Sequence, residues 1–68
     1  MKLSARNVFA GKVVAIKKGV TTAHVKIEVA KGLVITSSIT TEAVKDLKLK
    51  VGDRATAIIK SSEVIVGK

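Results

Sequence analysis

The chain has 68 residues, a length that fits one small domain, and we take residues 1–68 as that domain. It contains no cysteine and a single histidine, His24, which excludes disulfide bonds, thiolate metal centres and the usual histidine-rich metal clusters. Thirteen lysine and arginine residues against five acidic residues give a formal net charge of +8, which favours anionic partners.

The first half of the sequence predicts three short strands separated by glycine-containing turns. Residues 7–17 predict the first strand, with a bulge or a close backbone approach at Gly11. Residues 22–30 alternate between aliphatic and polar side chains, with His24 on the polar face, as is typical of a half-buried antiparallel strand. Residues 33–39 predict the third strand.

The second half contains the only break in this β pattern. Residues 40–49 predict a short helix capped by Thr40 or Thr41, with Glu42 in the first turn, where the helix dipole favours an acid. Residues 54–60 predict a fourth strand and residues 63–66 a fifth. The predicted fold is therefore all-β, a small five-stranded OB-fold barrel with one short helix between strands 3 and 4. An SH3-like barrel is the alternative, although it would not require the helix.

The composition also predicts self-association. Hydrophobic residues make up 47% of the chain, and the mean hydropathy is +0.38. A chain this short buries only a modest fraction of its surface, so we expect subunits to bury the excess against each other. We find no long apolar span and no signal or transit-like segment, and we therefore expect a cytoplasmic protein without a membrane partner.

Two short polar motifs carry the functional signal. In Ser4-Ala5-Arg6-Asn7, an extended backbone would project Ser4 and Arg6 to the same side, placing a hydroxyl beside a guanidinium whose planar donors suit oxyanions. An ordinary surface arginine beside a serine is the alternative interpretation.

The second motif is Lys60-Ser61-Ser62, at the predicted connection between the fourth and fifth strands. A tight connection there would expose backbone N–H groups beside a lysine, which is an arrangement that binds anions. Serines that satisfy the backbone of an ordinary turn explain the same residues.

A run of hydroxyl residues, 36–41, leads into the predicted helix. A bound oxyanion would contact Thr40 and the backbone amides of Glu42 and Ala43 at the helix start. Helix capping combined with a polar strand face accounts for this run equally well.

The sequence argues against catalysis. Its acidic residues are dispersed, with no two paired for acid–base work, and it has no glycine-rich phosphate loop. Three hypotheses follow: an oxyanion-binding protein, a nucleic-acid-binding OB module, and a purely structural oligomerisation domain. Single-strand binders of the OB fold use aromatic stacking platforms, whereas the only aromatic residue here is Phe9, which we expect in the core.

The chain resembles the molbindins, which have a Mop or TOBE-type domain. The resemblance covers essentially the whole chain and rests on Ser4-Ala5-Arg6-Asn7, on residues 36–49 as a strand-to-helix segment, and on Ile58-Ile59-Lys60-Ser61 followed by Glu63-Val64-Ile65. It implies a cytoplasmic OB-fold protein that binds and stores molybdate or tungstate. It further implies a homohexamer, built as a trimer of dimers, with the oxyanions at subunit interfaces.

The resemblance also assigns individual positions. Ser4, Arg6, Lys60 and Ser61 fall on the oxyanion-binding positions of the family, and Thr40 falls on another. One position departs from the pattern, because family members often carry serine where this chain has Ala43. The Ala43 backbone N–H would remain as a donor there, but the hydroxyl bond is lost.

Overall fold

The structure is a computed structural model that describes residues 2–68. Four strands, one α-helix and one 3-10 turn follow in chain order: β1 Asn7–Lys18, β2 Thr22–Ala30, β3 Leu33–Thr40, α1 Thr41–Asp46, β4 Arg54–Ile59 and the 3-10 turn Ser61–Glu63. The strands form one sheet in the order β3-β2-β1-β4, in which all neighbours are antiparallel. This sheet curls into a half-barrel. No helix in residues 2–68 is long and apolar enough to cross a membrane.

The predicted all-β class and the short helix between the third and fourth strands are confirmed. The predicted fifth strand over residues 63–66 is wrong for a single chain. Residues 61–63 form a tight 3-10 turn instead, and Val64–Lys68 have no strand partner among residues 2–68. A strand exists only where a neighbouring backbone pairs with it, so strand propensity in this segment is not sufficient.

Strand β1 organises the sheet because it pairs along both of its edges. Its register with β2 shifts between Val13 and Ala15, which marks a bulge that bends the strand. Gly11 is the predicted point of close approach, since a Cβ atom there would lie 2.5 Å from the carbonyl oxygen of Glu28 and 2.8 Å from Ile27 Cγ2. The absent side chain lets β2 cross close to β1.

The buried core is small. It consists of six side chains on the inner face of the sheet and on α1: Val13, Ala23, Val25, Ile27, Val44 and Ala57. The alternation predicted for β2 is confirmed, with His24 on the exposed face. The expectation that Phe9 lies in the core is wrong. The residue is 40% exposed, near one end of the half-barrel.

Helix α1 closes one end of the core and has defined caps. Thr40 Oγ1 accepts a hydrogen bond from the Ala43 backbone N–H at 3.0 Å, which satisfies one of the first-turn donors. At the other end, Lys48 adopts a left-handed conformation (φ 53°), and Leu49 N–H donates to Val44 O at 3.1 Å. This Schellman-type ending brings Leu49 back against the core beside Val44.

Gly11→Ala tests the close approach of β1 and β2. We expect it to lower the free energy of unfolding by about 1–3 kcal/mol, because the added methyl group meets the backbone carbonyl of Glu28 as well as the side chains of Ile27 and Val29. Gly67→Ala is the control, since a Cβ there has no neighbour within 4 Å. Urea denaturation of both variants measures the difference, and equal midpoints would contradict the assigned packing.

Candidate functional site

The two polar motifs meet at one end of the sheet. Asn7, the first residue of β1, pairs with Ile59, the last residue of β4, and Asn7 Nδ2 donates a hydrogen bond to Ile59 O at 3.1 Å. Arg6 and Lys60 each lie one residue beyond this pair. The β1–β4 pairing thus brings together two cations that are far apart in the sequence.

The first motif is not part of a strand. The chain bends at Ser4 and again at Arg6, both of which are exposed, and the β1 ladder begins only at Asn7. The expectation that Ser4 and Arg6 share a strand face is therefore wrong, because strand alternation needs an extended backbone. The two side chains instead belong to a bent arm leading into β1.

The second motif forms the tight turn that was predicted, although it follows β4 without leading into a fifth strand. Lys60 is extended (φ −66°, ψ 142°), and its carbonyl accepts from the Glu63 N–H at 2.9 Å. Ser61 begins the turn, and its carbonyl accepts from the Val64 N–H at 3.3 Å. Lys60, Ser61 and Glu63 are all exposed, so their side chains are accessible to a ligand or a second chain.

A groove runs beside this turn, between the two edge strands of the half-barrel. It has a volume of about 590 Å³, and Lys60 and Glu63 line it together with Thr36 and Ser37 of β3. The hydroxyl run of residues 36–41 was recognised in the sequence. The sequence did not predict that Thr36 and Ser37 lie near Lys60. Their position depends on the curl of the sheet, which brings β3 towards β4.

Thr40 and Ala43 lie elsewhere. Thr40 pairs with Thr22 at the end of β1 that is opposite Asn7, next to the β1–β2 turn. Thr41 fixes the helix start there, donating its hydroxyl to Gly19 O at 3.0 Å and its backbone N–H to Thr21 O at 2.9 Å. The Ala43 N–H is already donated to Thr40 Oγ1, so the capping interpretation of this segment holds in the structure.

The six predicted residues therefore form two groups in one chain. We call Ser4, Arg6, Lys60 and Ser61 the ladder-end group, and Thr40 and Ala43 the helix-start group. Strand β1 runs from one to the other, and at about 3.3 Å per residue its twelve residues give a path along the strand of roughly 36–40 Å. A tetrahedral oxyanion is only a few ångström across, so it contacts one group of a given chain and not both.

Known proteins resemble this chain over nearly its whole length. The family model described as the TOBE domain matches residues 3–66. The chain belongs to the TOBE domain family. The resemblance to the molbindins noted from the motifs is thereby confirmed.

Three relatives show how far the likeness extends. Molybdenum-pterin-binding protein 1 of Clostridium pasteurianum is 50% identical over 66 residues, which cover 97% of each chain. A molybdate-binding protein from Sporomusa ovata has a solved structure with a TM-score of 0.92 and 38% identity, covering both chains completely. The cytoplasmic molybdate-binding protein ModG, solved with molybdate bound, gives a TM-score of 0.91 at 46% identity over 96% of this chain and 46% of its own.

Sequence reasoning missed the part played by Asn7. Asn7 is the last residue of the first motif, and its side chain forms the hydrogen bond that connects the arm carrying Arg6 to the end of β4. An asparagine directly after the Ser4-Ala5-Arg6 segment was the available signal. Its partner could not be read, because that partner is a backbone carbonyl 52 residues away.

Thr40→Ala tests the capping role of the helix-start group. Loss of the hydrogen bond to the Ala43 N–H should destabilise the chain by about 1 kcal/mol. Thr40→Ser keeps the hydroxyl and should remain near the parent. Urea unfolding of the two variants provides the measurement. A Thr40→Ala midpoint equal to that of Thr40→Ser would show that the Thr40 cap does not stabilise the chain.

Proposed function

We propose that this chain binds molybdate or tungstate as an intact oxyanion and stores or buffers it in the cytoplasm, without catalysing a reaction. The observation that carries the proposal is the meeting of Arg6 and Lys60 at the end of the β1–β4 ladder. The relatives add the identity of the ligand, since they are named for binding molybdate or molybdenum-pterin, and one of them is named as cytoplasmic.

The chemistry of the ladder-end group suits a tetrahedral dianion. Such an ion carries four acceptor oxygens and no proton at neutral pH, so its binding site needs positive charge and several hydrogen-bond donors. Arg6 and Lys60 supply the charge, and charge-assisted hydrogen bonds are the strong ones. The Ser4 and Ser61 hydroxyls supply donors that fix its orientation.

We propose that each oxyanion lies between subunits of a homohexamer built as a trimer of dimers. Two features support an interface. Glu63 stands in the same turn as Lys60, so one chain by itself offers a dianion little net positive charge there. In addition, the two groups of one chain lie too far apart to share a ligand, whereas groups from neighbouring chains can approach each other.

The helix-start group would then form a second class of contact. The Thr40 hydroxyl accepts from the Ala43 N–H but keeps its own proton to donate to an anion. Because Ala43 has no hydroxyl, this contact is weaker than one made with serine at the same position. Binding at shared sites stabilises the assembly through mass action.

Native mass spectrometry tests the function directly. The purified chain is measured alone, with molybdate, and with sulfate as the control anion. We expect a hexamer that gains several molybdates and few or no sulfates, and the added mass separates bare molybdate from a molybdenum–pterin adduct. A monomer or dimer without any oxyanion adduct would overturn the proposal.

Arg6→Ala should weaken molybdate binding by roughly ten- to a hundredfold, since a hydrogen bond to a charged group contributes about 1.5–3 kcal/mol. Arg54→Ala is the matched control, because it removes the same charge from an exposed position at the other end of β4. Isothermal titration calorimetry gives the affinities, and urea midpoints confirm that both variants fold. Equal losses in the two variants would show that only net charge matters.

Asn7→Ala should weaken molybdate binding and also destabilise the chain by about 1 kcal/mol, because the arm carrying Arg6 loses its bond to Ile59 O. Thr41→Ala removes a comparable side-chain bond, to Gly19 O, at the opposite end of β1. It should cost similar stability and leave the ladder-end affinity unchanged. If both variants bind molybdate equally well, Asn7 has no positioning role.

A further inference from the structure

An acidic residue stands beside the cations of the ladder-end group. Glu63 lines the same groove as Lys60, and its backbone N–H donates to Lys60 O at 2.9 Å across the 3-10 turn. A turn closed by such a bond holds its two end Cα atoms within about 7 Å of each other. The Glu63 carboxylate is therefore close enough to repel an anion held by the Lys60 ammonium group, because salt screens charges strongly only beyond about 8 Å.

The other four acids of the chain lie elsewhere. Glu42 and Asp46 belong to α1, at the opposite end of β1, and Asp53 accepts a hydrogen bond from the Lys50 N–H in the turn before β4. Glu28 pairs with Lys12, five residues along β1 from Asn7, which corresponds to about 16 Å. Among residues 2–68, Glu63 is thus the acid placed to act on the ladder-end group.

The fold does not require a negative charge at this position. The Glu63 side chain is exposed, and none of the side-chain hydrogen bonds found among residues 2–68 involves its carboxylate. A helix dipole favours an acid in the first turn, but the dipole of this three-residue 3-10 turn is small. The charge of Glu63 therefore has its main effect on what the neighbouring cations bind.

That effect is large for a dianion. Arg6 and Lys60 carry two positive charges, and Glu63 leaves one of them uncompensated, which balances half the charge of molybdate. At about 8 Å, with an effective dielectric constant between roughly 40 and 80, one negative charge weakens the binding of a dianion by roughly five- to thirtyfold. For a monoanion the repulsion is half as large, and the loss is the square root of that factor.

We propose that Glu63 sets the affinity of the ladder-end group for a tetrahedral dianion, lowering it enough for a stored oxyanion to be released. The inference rests on the proposed function and deepens it, because it assigns to the same site a residue that limits binding. A protein that buffers a ligand must release it when the free concentration falls. Two cations without a nearby carboxylate would retain the ligand instead.

Glu63→Gln tests this role, because it removes the charge and keeps the size and the hydrogen-bonding capacity of the side chain. We expect molybdate to bind roughly five- to thirtyfold more tightly at 0.15 M salt. Glu63→Asp keeps the charge and should stay within about twofold of the parent, and so should the matched control Glu28→Gln, which removes an equal charge more than a Debye length away.

Isothermal titration calorimetry gives these affinities, and urea midpoints confirm that each variant folds. A Glu63→Gln variant that binds molybdate no more tightly than the parent would overturn the proposal. An equal gain in Glu28→Gln would also overturn it, because the total charge of the chain would then explain the effect.

A second anion separates charge from shape. Perrhenate is tetrahedral and close to molybdate in size but carries a single negative charge, and its affinity is measured by displacement of molybdate. We expect Glu63→Gln to tighten perrhenate binding only about two- to fivefold, because the repulsion scales with the charge of the ligand. Equal gains for the two anions would show that Glu63 acts by its size or through the shape of the turn.

The two proposals fail in different ways. If neither the parent nor Glu63→Gln binds molybdate, the proposed function itself is wrong. If the parent binds molybdate with an affinity that depends on Arg6, and Glu63→Gln leaves this affinity unchanged, only the role of Glu63 is wrong. Titrating the parent, Arg6→Ala and Glu63→Gln side by side distinguishes these results.

Discussion

The antiparallel pairing of β1 with β4 is the interaction on which the rest of this molecule depends. It joins the beginning of the chain to its end, and the bond from Asn7 to Ile59 O closes that junction. Without it, Arg6 and Lys60 would sit on separate arms of a flexible chain. With it, Arg6 and Lys60 directly flank a hydrogen-bonded pair of strand ends.

A second constraint is that one chain contains more apolar side chains than it can bury. Among residues 2–68, six residues form the core, and two of them are alanines. Thirteen large hydrophobic residues in the same range remain exposed, among them the cross-strand pair Val8 and Ile58 on the outer face. Exposed apolar surface of this extent is typical of an interaction site, and it is one reason for the assembly proposed above.

The two constraints act on the same place. The turn at residues 61–63 follows the end of β4, carries Ser61 of the ladder-end group directly after Lys60, and precedes the exposed apolar residues 64–66. If the oxyanion binds between copies at this turn, as proposed above, binding and assembly are reciprocal effects.

The sequence alone determined much of this protein. Alternation in residues 22–30, the hydroxyl cap at Thr40 and the glycine at position 11 are local signals, and each predicted a feature found in the structure. The motifs around Arg6 and Lys60 were sufficient to indicate the family. These signals can be read because they depend on neighbours in the chain or on the steric properties of one residue.

Tertiary structure decided what depends on distant backbone. It placed Thr40 and Ala43 at the opposite end of β1 from Arg6 and Lys60, and brought Thr36 and Ser37 to the groove beside Lys60. It also left residues 64–66 without a strand partner in the described part of the chain. The predicted fifth strand over residues 63–66 was wrong because strand propensity alone does not make a strand, which also needs an edge to pair with. The curl of the sheet determines which strand edges face each other. No local pattern in the sequence predicts that curl.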